Sequence, residues 1–195
     1  MSGPPDGPPL DPRRLLGTLN RHHVDYLVVG GIAAQAHGAS HTTYDIDCVP
    51  RDALENAERL AGALRQLHAR PFIHGIPDEH AQQLTFRLDG LQPLGSQVSR
   101  WMTDAGPIDV LHDIPLHDGD HHGYDELISR GEPRRFHGIT IHVAALADII
   151  ASKERANRPK DVDALPELRR LLDRQQRRSV ERPEPLEPPL PGLEL

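Results

Sequence analysis

Asp45 and Asp47 stand one residue apart in Tyr44-Asp45-Ile46-Asp47-Cys48-Val49, a run whose apolar and β-branched residues predict a strand. Side chains alternate along a strand, so the two carboxylates share one face while Ile46 and Cys48 take the other. Such a pair repels itself unless a proton or cation intervenes. Hard oxygen ligands at this spacing suit Mg2+, which keeps some of its waters and recruits phosphate oxygens. The chemistry indicated is phosphate handling at a metal site.

Two-metal phosphoryl chemistry often draws a further carboxylate from another strand. Asp109, in Gly106-Pro107-Ile108-Asp109-Val110-Leu111, fits because a charge inside an apolar strand must be paired, solvated or metal-bound. The alternative is an edge-strand charge facing water. Asp113, four residues later, is the weaker choice. Cations gather further along, at Lys153, Arg158 and Lys160, where they could neutralise triphosphate charge or a pyrophosphate leaving group. The alternative is a helix C-terminus with favourable cations against its dipole. Asp161 and Asp163 can orient those cations or cap the helix that follows.

The elements that must carry these residues are legible around them. Tyr26-Leu27-Val28-Val29 predicts a strand, Gly30-Gly31 a turn that lets backbone approach a ligand, and Ile32 to His37 a short helix. Upstream, Asp11 and Pro12 predict a helix start, with Leu15, Leu16 and Leu19 on one side. After Pro50, Asp52 is the expected cap of a helix to about His68, whose stripe is Leu54, Leu60, Ala61, Leu64 and Leu67. Short strands are expected at Leu84–Leu88, Gln97–Thr103 and Pro107–His112, the last two joined as a hairpin by Asp104-Ala105-Gly106. A short helix over residues 124–129, a strand over Arg135–Val143 and a helix over Ala144–Arg155 follow. The last helical region, Lys160–Arg178, is expected to kink or restart at Pro166. The fold class is therefore α/β or α+β: a small mixed sheet flanked by helices, with a helical C-terminal region.

Residues 13–178 are expected to form the folded domain, with proline-rich disordered tails at 1–12 and 179–195. No apolar run approaches the roughly 20 residues that span a bilayer, so no membrane partner is expected and the protein is read as soluble and cytoplasmic. Cys48 is the only cysteine, which excludes an intrachain disulfide. The net charge of −7 argues against a protein that coats nucleic acid. The distribution is uneven: residues 130–180 hold twelve Lys and Arg against seven Asp and Glu, whereas residues 1–129 hold nine against eighteen. An acidic metal site beside a cationic surface for a polyanion would produce this asymmetry, and so would a solvated basic helix. The stretch with His112, Asp113, His117, Asp118, Asp120, His121 and His122 has donors suited to Zn2+, but its spacing matches no helical or finger pattern and favours a polar surface loop.

Taken in order, Gly30-Gly31, Asp45-x-Asp47, Ile108-Asp109-Val110 and Lys153…Arg158-x-Lys160-Asp161-x-x-Ala164 resemble the nucleotidyltransferase-fold superfamily. More narrowly they are similar to the toxin-type nucleotidyltransferases of toxin–antitoxin and abortive-infection systems, over nearly all of the folded region. The resemblance implies a nucleotidyltransferase-like sheet with a nucleoside triphosphate donor and Mg2+ at Asp45 and Asp47. By position, Asp109 would complete the metal site and help deprotonate the acceptor hydroxyl. Gly30 and Gly31 would cradle phosphates, with Thr43, Arg158 and Lys160 beside the nucleotide. Lys153 and Asp163 would match the late functional Lys and Asp, with Asp161 the rival for the second role. Gly31 stands where many members carry Ser, and His41 where the toxin-type pattern has Arg.

The implied reaction is transfer of a nucleoside monophosphate to an acceptor with release of pyrophosphate. A tRNA 3′ end is the acceptor of some toxin-type relatives, and a cognate antitoxin is the partner such a system implies. Two other readings stay open. One is a non-catalytic antitoxin-like or regulatory module of the same fold. The other is the same chemistry on a small hydroxylated antibiotic or a protein side chain.

Overall fold

The computed structural model describes residues 7–72, 78–81, 88, 98–117 and 119–180. The chain opens with α1 (Pro12–Arg21), β1 (Tyr26–Val29), α2 (Gly30–Ala36), β2 (Ile46–Pro50) and α3 (Leu54–Gln66). It continues with β3 (Arg70–Pro71), α4 (Asp78–Ala81), β4 (Val98–Thr103), β5 (Gly106–Leu111), β6 (Ile114–Pro115) and β7 (His121–His122). It closes with α5 (Tyr124–Ile128), β8 (Glu132–Phe136), β9 (Ile139–Val143), α6 (Leu146–Ala156) and α7 (Pro159–Val180). Among the described residues one mixed sheet runs β3-β4-β5-β2-β1-β9-β8, and β6 and β7 form a separate ribbon.

The sheet is mixed for a topological reason. β1 and β2 are antiparallel neighbours, but β5 joins β2 and β9 joins β1 in parallel. Parallel neighbours need a crossover connection, and α3 lies on the path from β2 to β5. The inner strands are apolar on the face opposite Asp47: Val28, Ile46, Cys48, Ile108 and Val143 are each fully buried. α1 packs on α3, while α2 lies against β1 and β2 and carries α6, which in turn packs on α7. No helix of the described residues is long and apolar enough to cross a membrane.

Local chemistry explains the element ends. The Asp11 carboxylate accepts the Arg14 N–H at 3.0 Å and so caps α1, with Pro12 in its first turn. Asp11 also donates its own N–H to Ala105 O at 2.9 Å, and Leu10 packs against the core. Residues 10–12 of the proline-rich segment thus belong to the fold. The β4–β5 hairpin turns at Asp104-Ala105, with Gly106 at φ +95°. Thr103 closes it: its hydroxyl donates to Gly106 O at 2.7 Å and accepts the Ala105 N–H at 3.0 Å.

Five expectations are corrected or bounded. Asp52 does not cap α3, whose N-cap is Ala53, and Leu54 is 63% exposed instead of joining the buried stripe. The single strand expected over 135–143 is a hairpin, because His137 and Gly138 both take positive φ and turn β8 back as β9. α7 runs from Pro159 to Val180 through Pro166 without restarting. The strand expected at 84–88 lies outside the described residues except for Leu88, which is buried in the core.

Candidate active site

Asp45 precedes β2, Asp47 lies within it, and Asp109 sits opposite Asp47 in the parallel register of β2 and β5. Register partners on adjacent strands project to the same face, so all three carboxylates converge. Each offers an oxygen within 4.8 Å of the other two, the one such metal-capable group among the described residues. β5 lies between β4 and β2, so Asp109 is an interior residue and not an edge-strand charge facing water.

The two glycines exist here to let that cluster form. A Cβ on Gly30 would lie 2.0 Å from Asp47 Oδ2, and the residue's φ of +61° disfavours a side chain in any case. A Cβ on Gly31 would lie 2.6 Å from Thr43 Oγ1. Thr43 in turn donates its hydroxyl to Asp45 Oδ1 at 2.8 Å and holds that carboxylate in place. The turn therefore positions Asp47 and Thr43 directly.

The electrostatics follow from the crowding. Loss of water, then Asp45, then Asp109 push Asp47 up to about 7, and Lys160 and Lys153 oppose them. Loss of water raises Asp109 to about 6, with Asp45 adding to it and Arg100, Lys160 and Arg158 opposing. Three carboxylates held this closely, two of them resisting ionisation, make a donor set that fits a hard divalent cation. Cys48, on the opposite face of β2, has its thiol raised by burial and is packing.

The late cations reach the same place from the α6–α7 turn. Asn157 ends α6 in the left-handed conformation, which brings Arg158 and the start of α7 back beside Lys153. Asp161 is fully buried there: Lys153 Nζ donates to Oδ1 at 2.9 Å and Arg158 Nε to Oδ2 at 2.5 Å. These two hydrogen bonds hold the Asp161 carboxyl below its ordinary range despite burial. Lys153 is largely covered, whereas Arg158 and Lys160 are exposed. Asp163 is also exposed, so the carboxylate brought to Lys153 is Asp161. His41 lies on the same side, with burial and then Lys153 lowering its pKa and Glu167 Oε2 at 3.9 Å from Nδ1.

Arg100 was not anticipated. In the β4–β5 register it stands opposite Asp109, and its Nε lies 3.2 Å from Asp109 Oδ2. The hairpin at Asp104-Ala105 was legible, and counting outward from Thr103 and Gly106 pairs residues 100 and 109. Asp113 does not join the acidic cluster. Its carboxylate lies between His112 Nδ1 at 3.1 Å and His121 Nδ1 at 2.5 Å, while His117 Nε2 approaches Glu154 Oε2 at 2.8 Å. Asp118 lies outside the described residues.

No family model matches this chain, and no curated protein matches it. Solved structures do. The lincosamide antibiotic adenylyltransferase LnuA, with lincomycin bound, superposes with a TM-score of 0.55 at 11% identity, over 84% of this chain and 99% of that one. The solution structure of the antibiotic-resistance factor ANT(2'')-Ia gives a TM-score of 0.50 at 11% identity, over 86% of this chain and 90% of that one. These likenesses establish the architecture: the mixed sheet with its flanking and C-terminal helices is the nucleotidyltransferase-like fold.

Proposed function

We propose that this protein is a Mg2+-dependent nucleotidyltransferase that moves a nucleoside monophosphate from a nucleoside triphosphate to an acceptor hydroxyl. The observation that carries the proposal is the convergence of Asp45, Asp47 and Asp109 from neighbouring segments of the sheet, within electrostatic reach of Lys153, Arg158 and Lys160. Asp45, Asp47 and Asp109 would hold the metal, which when bound supplies charge neutralisation and polarisation at the phosphoryl group.

The chain's own residues account for the rest. Thr43 fixes Asp45, and Gly30 leaves room for Asp47, so the carboxylates are arranged before any ligand arrives. The acceptor oxygen attacks the α-phosphorus, the bond from that phosphorus to the bridging oxygen breaks, and pyrophosphate leaves. Asp109 takes the hydroxyl proton. Lys153, Arg158 and Lys160 offset the charge gathering on the pyrophosphate, and Asp161 aims the first two. Asp163, at the exposed side of α7, is left with the lesser part in this scheme.

The toxin-type assignment, with a tRNA 3′ end as acceptor and a cognate antitoxin as partner, is supported by the motif resemblance and by the basic C-terminal half. A small hydroxylated acceptor is the second reading, favoured by the fold's likeness to LnuA, whose structure holds lincomycin. The deciding experiment incubates the purified protein with Mg2+ and each α-labelled nucleoside triphosphate in turn, with total tRNA or with lincomycin. Label on RNA that vanishes in Asp45→Ala and Asp47→Ala supports the first acceptor, and label on lincomycin the second. Transfer that persists in both variants sinks the metal assignment, and no transfer to any acceptor moves the non-catalytic module to the front.

A further inference from the structure

We propose that Arg100 is an anion contact on the acceptor side of this site, and that the acceptor is a hydroxyl compound bearing phosphate near the hydroxyl that reacts. The inference rests on the transferase reading above. The sheet order places β4 beyond β5, so Arg100 lies across Asp109 from Asp47, Gly30 and Thr43. With strands about 4.8 Å apart, its backbone is roughly 10 Å from that of Asp47. The late cations serve the Asp45 and Asp47 flank and extend to Asp109, whereas Arg100 alone approaches from the β4 flank.

Its side chain is poised for a ligand. Arg100 is 57% exposed against 13% for Asp109, and it meets that carboxylate through Nε. Among the described residues its guanidinium has no other ion-pair partner, which leaves the terminal N–H groups open. A planar fork of N–H donors matches phosphate oxygens. A guanidinium at Asp109 also opposes a divalent cation on the same carboxylate, unless an anion lies between the two positive groups. A phosphate brought in with the acceptor supplies that anion. The charged side chains that act most strongly on Asp47 and Asp109 from outside the acidic cluster are Arg100, Lys153, Arg158 and Lys160, all cationic. With the carboxylates neutralised by a divalent cation, that surround would repel a polyamine and attract a phosphate ester.

The test uses the full chain with Mg2+, labelled nucleoside triphosphate and four probes: a short single-stranded oligoribonucleotide with a free 3′ hydroxyl, ribose phosphate, ribose and tobramycin. Label on either phosphate-bearing probe supports the proposal, and which of the two takes it identifies the source as a phosphodiester or a sugar phosphate. Arg100→Met is then expected to raise the acceptor KM about tenfold, the range of an ionic hydrogen bond at a half-exposed site. The nucleotide KM should hold, and Arg100→Lys should recover part of the loss. Preferred labelling of ribose or tobramycin, or an unchanged acceptor KM in Arg100→Met, overturns it. If nothing is labelled, equilibrium binding of the fluorescent oligoribonucleotide decides. Weaker binding to Arg100→Met retains the anion contact while the transferase reading fails, and equal binding removes the contact.

Discussion

At the scale of single residues, the site depends on an absent side chain. Gly30→Ala would drive a methyl into Asp47 Oδ2 at a backbone position that L side chains avoid. Asp47 must move, so the variant is expected to lose transfer and about 1–3 kcal/mol of stability, measured by label transfer and by urea unfolding. Full activity in a folded Gly30→Ala would show that Asp47 can work from another position. Asp161 and Asp163 make a second contrast. Asp161→Ala strands two cations beside a buried gap and is expected to cost about 3 kcal/mol and to raise the nucleotide KM, whereas Asp163→Ala should stay within about 0.5 kcal/mol of the parent. The sequence held the information to rank them. Ala164, Leu165 and Leu168 are buried, and residue 161 continues that stripe at helical spacing whereas residue 163 falls off it. The pairing of Asp161 with Lys153 was not legible in the same way, because it depends on how α7 folds back on α6.

At the scale of elements, what could be foreseen was what local chemistry decides. The Asp11 cap, the strand before the glycines and the Asp104-Ala105 hairpin each rest on a few adjacent residues, and each is present. The β8–β9 hairpin was missed because His137 gives no strong turn signal, although Gly138 beside it does. The parallel joining of β5 to β2 was beyond sequence reasoning, since the crossover through α3 sets it. That joining is what puts Asp109 beside Asp47. Pro166 illustrates the opposite case: α7 passes through it without restarting, with Leu165 and Leu168 packed against the core. Proline removes one backbone hydrogen bond from the helix. Pro166→Ala, at an exposed position, is therefore expected to raise the melting temperature, with a gain on the order of 1 kcal/mol after the looser unfolded chain is counted. A fall in melting temperature would mean that α7 needs a bend there.

At the scale of the whole molecule, the acidic cluster couples folding to pH and to divalent cations. Asp47 and Asp109 titrate near 7 and 6 in the folded chain, above the ordinary carboxyl range of the unfolded one. A raised carboxyl leaves the folded state fully competitive below about pH 4, where both states are protonated. Between pH 4 and 7 the unfolded chain ionises more readily, so the metal-free protein loses stability as pH rises through that window. Mg2+ requires the carboxylates deprotonated, so its stabilising effect must grow over the same interval. Melting temperature is accordingly expected to rise more with saturating Mg2+ at pH 8 than at pH 5.5, by on the order of 3 °C. Asp47→Asn removes the most strongly raised of these charges. Without metal it should melt above the parent at pH 8 and match it near pH 4, and it should respond weakly to Mg2+ at either pH. An equal Mg2+ response at both pH values in the parent would separate the cation from these carboxylates, because no site that must shed protons to bind can be indifferent to their concentration.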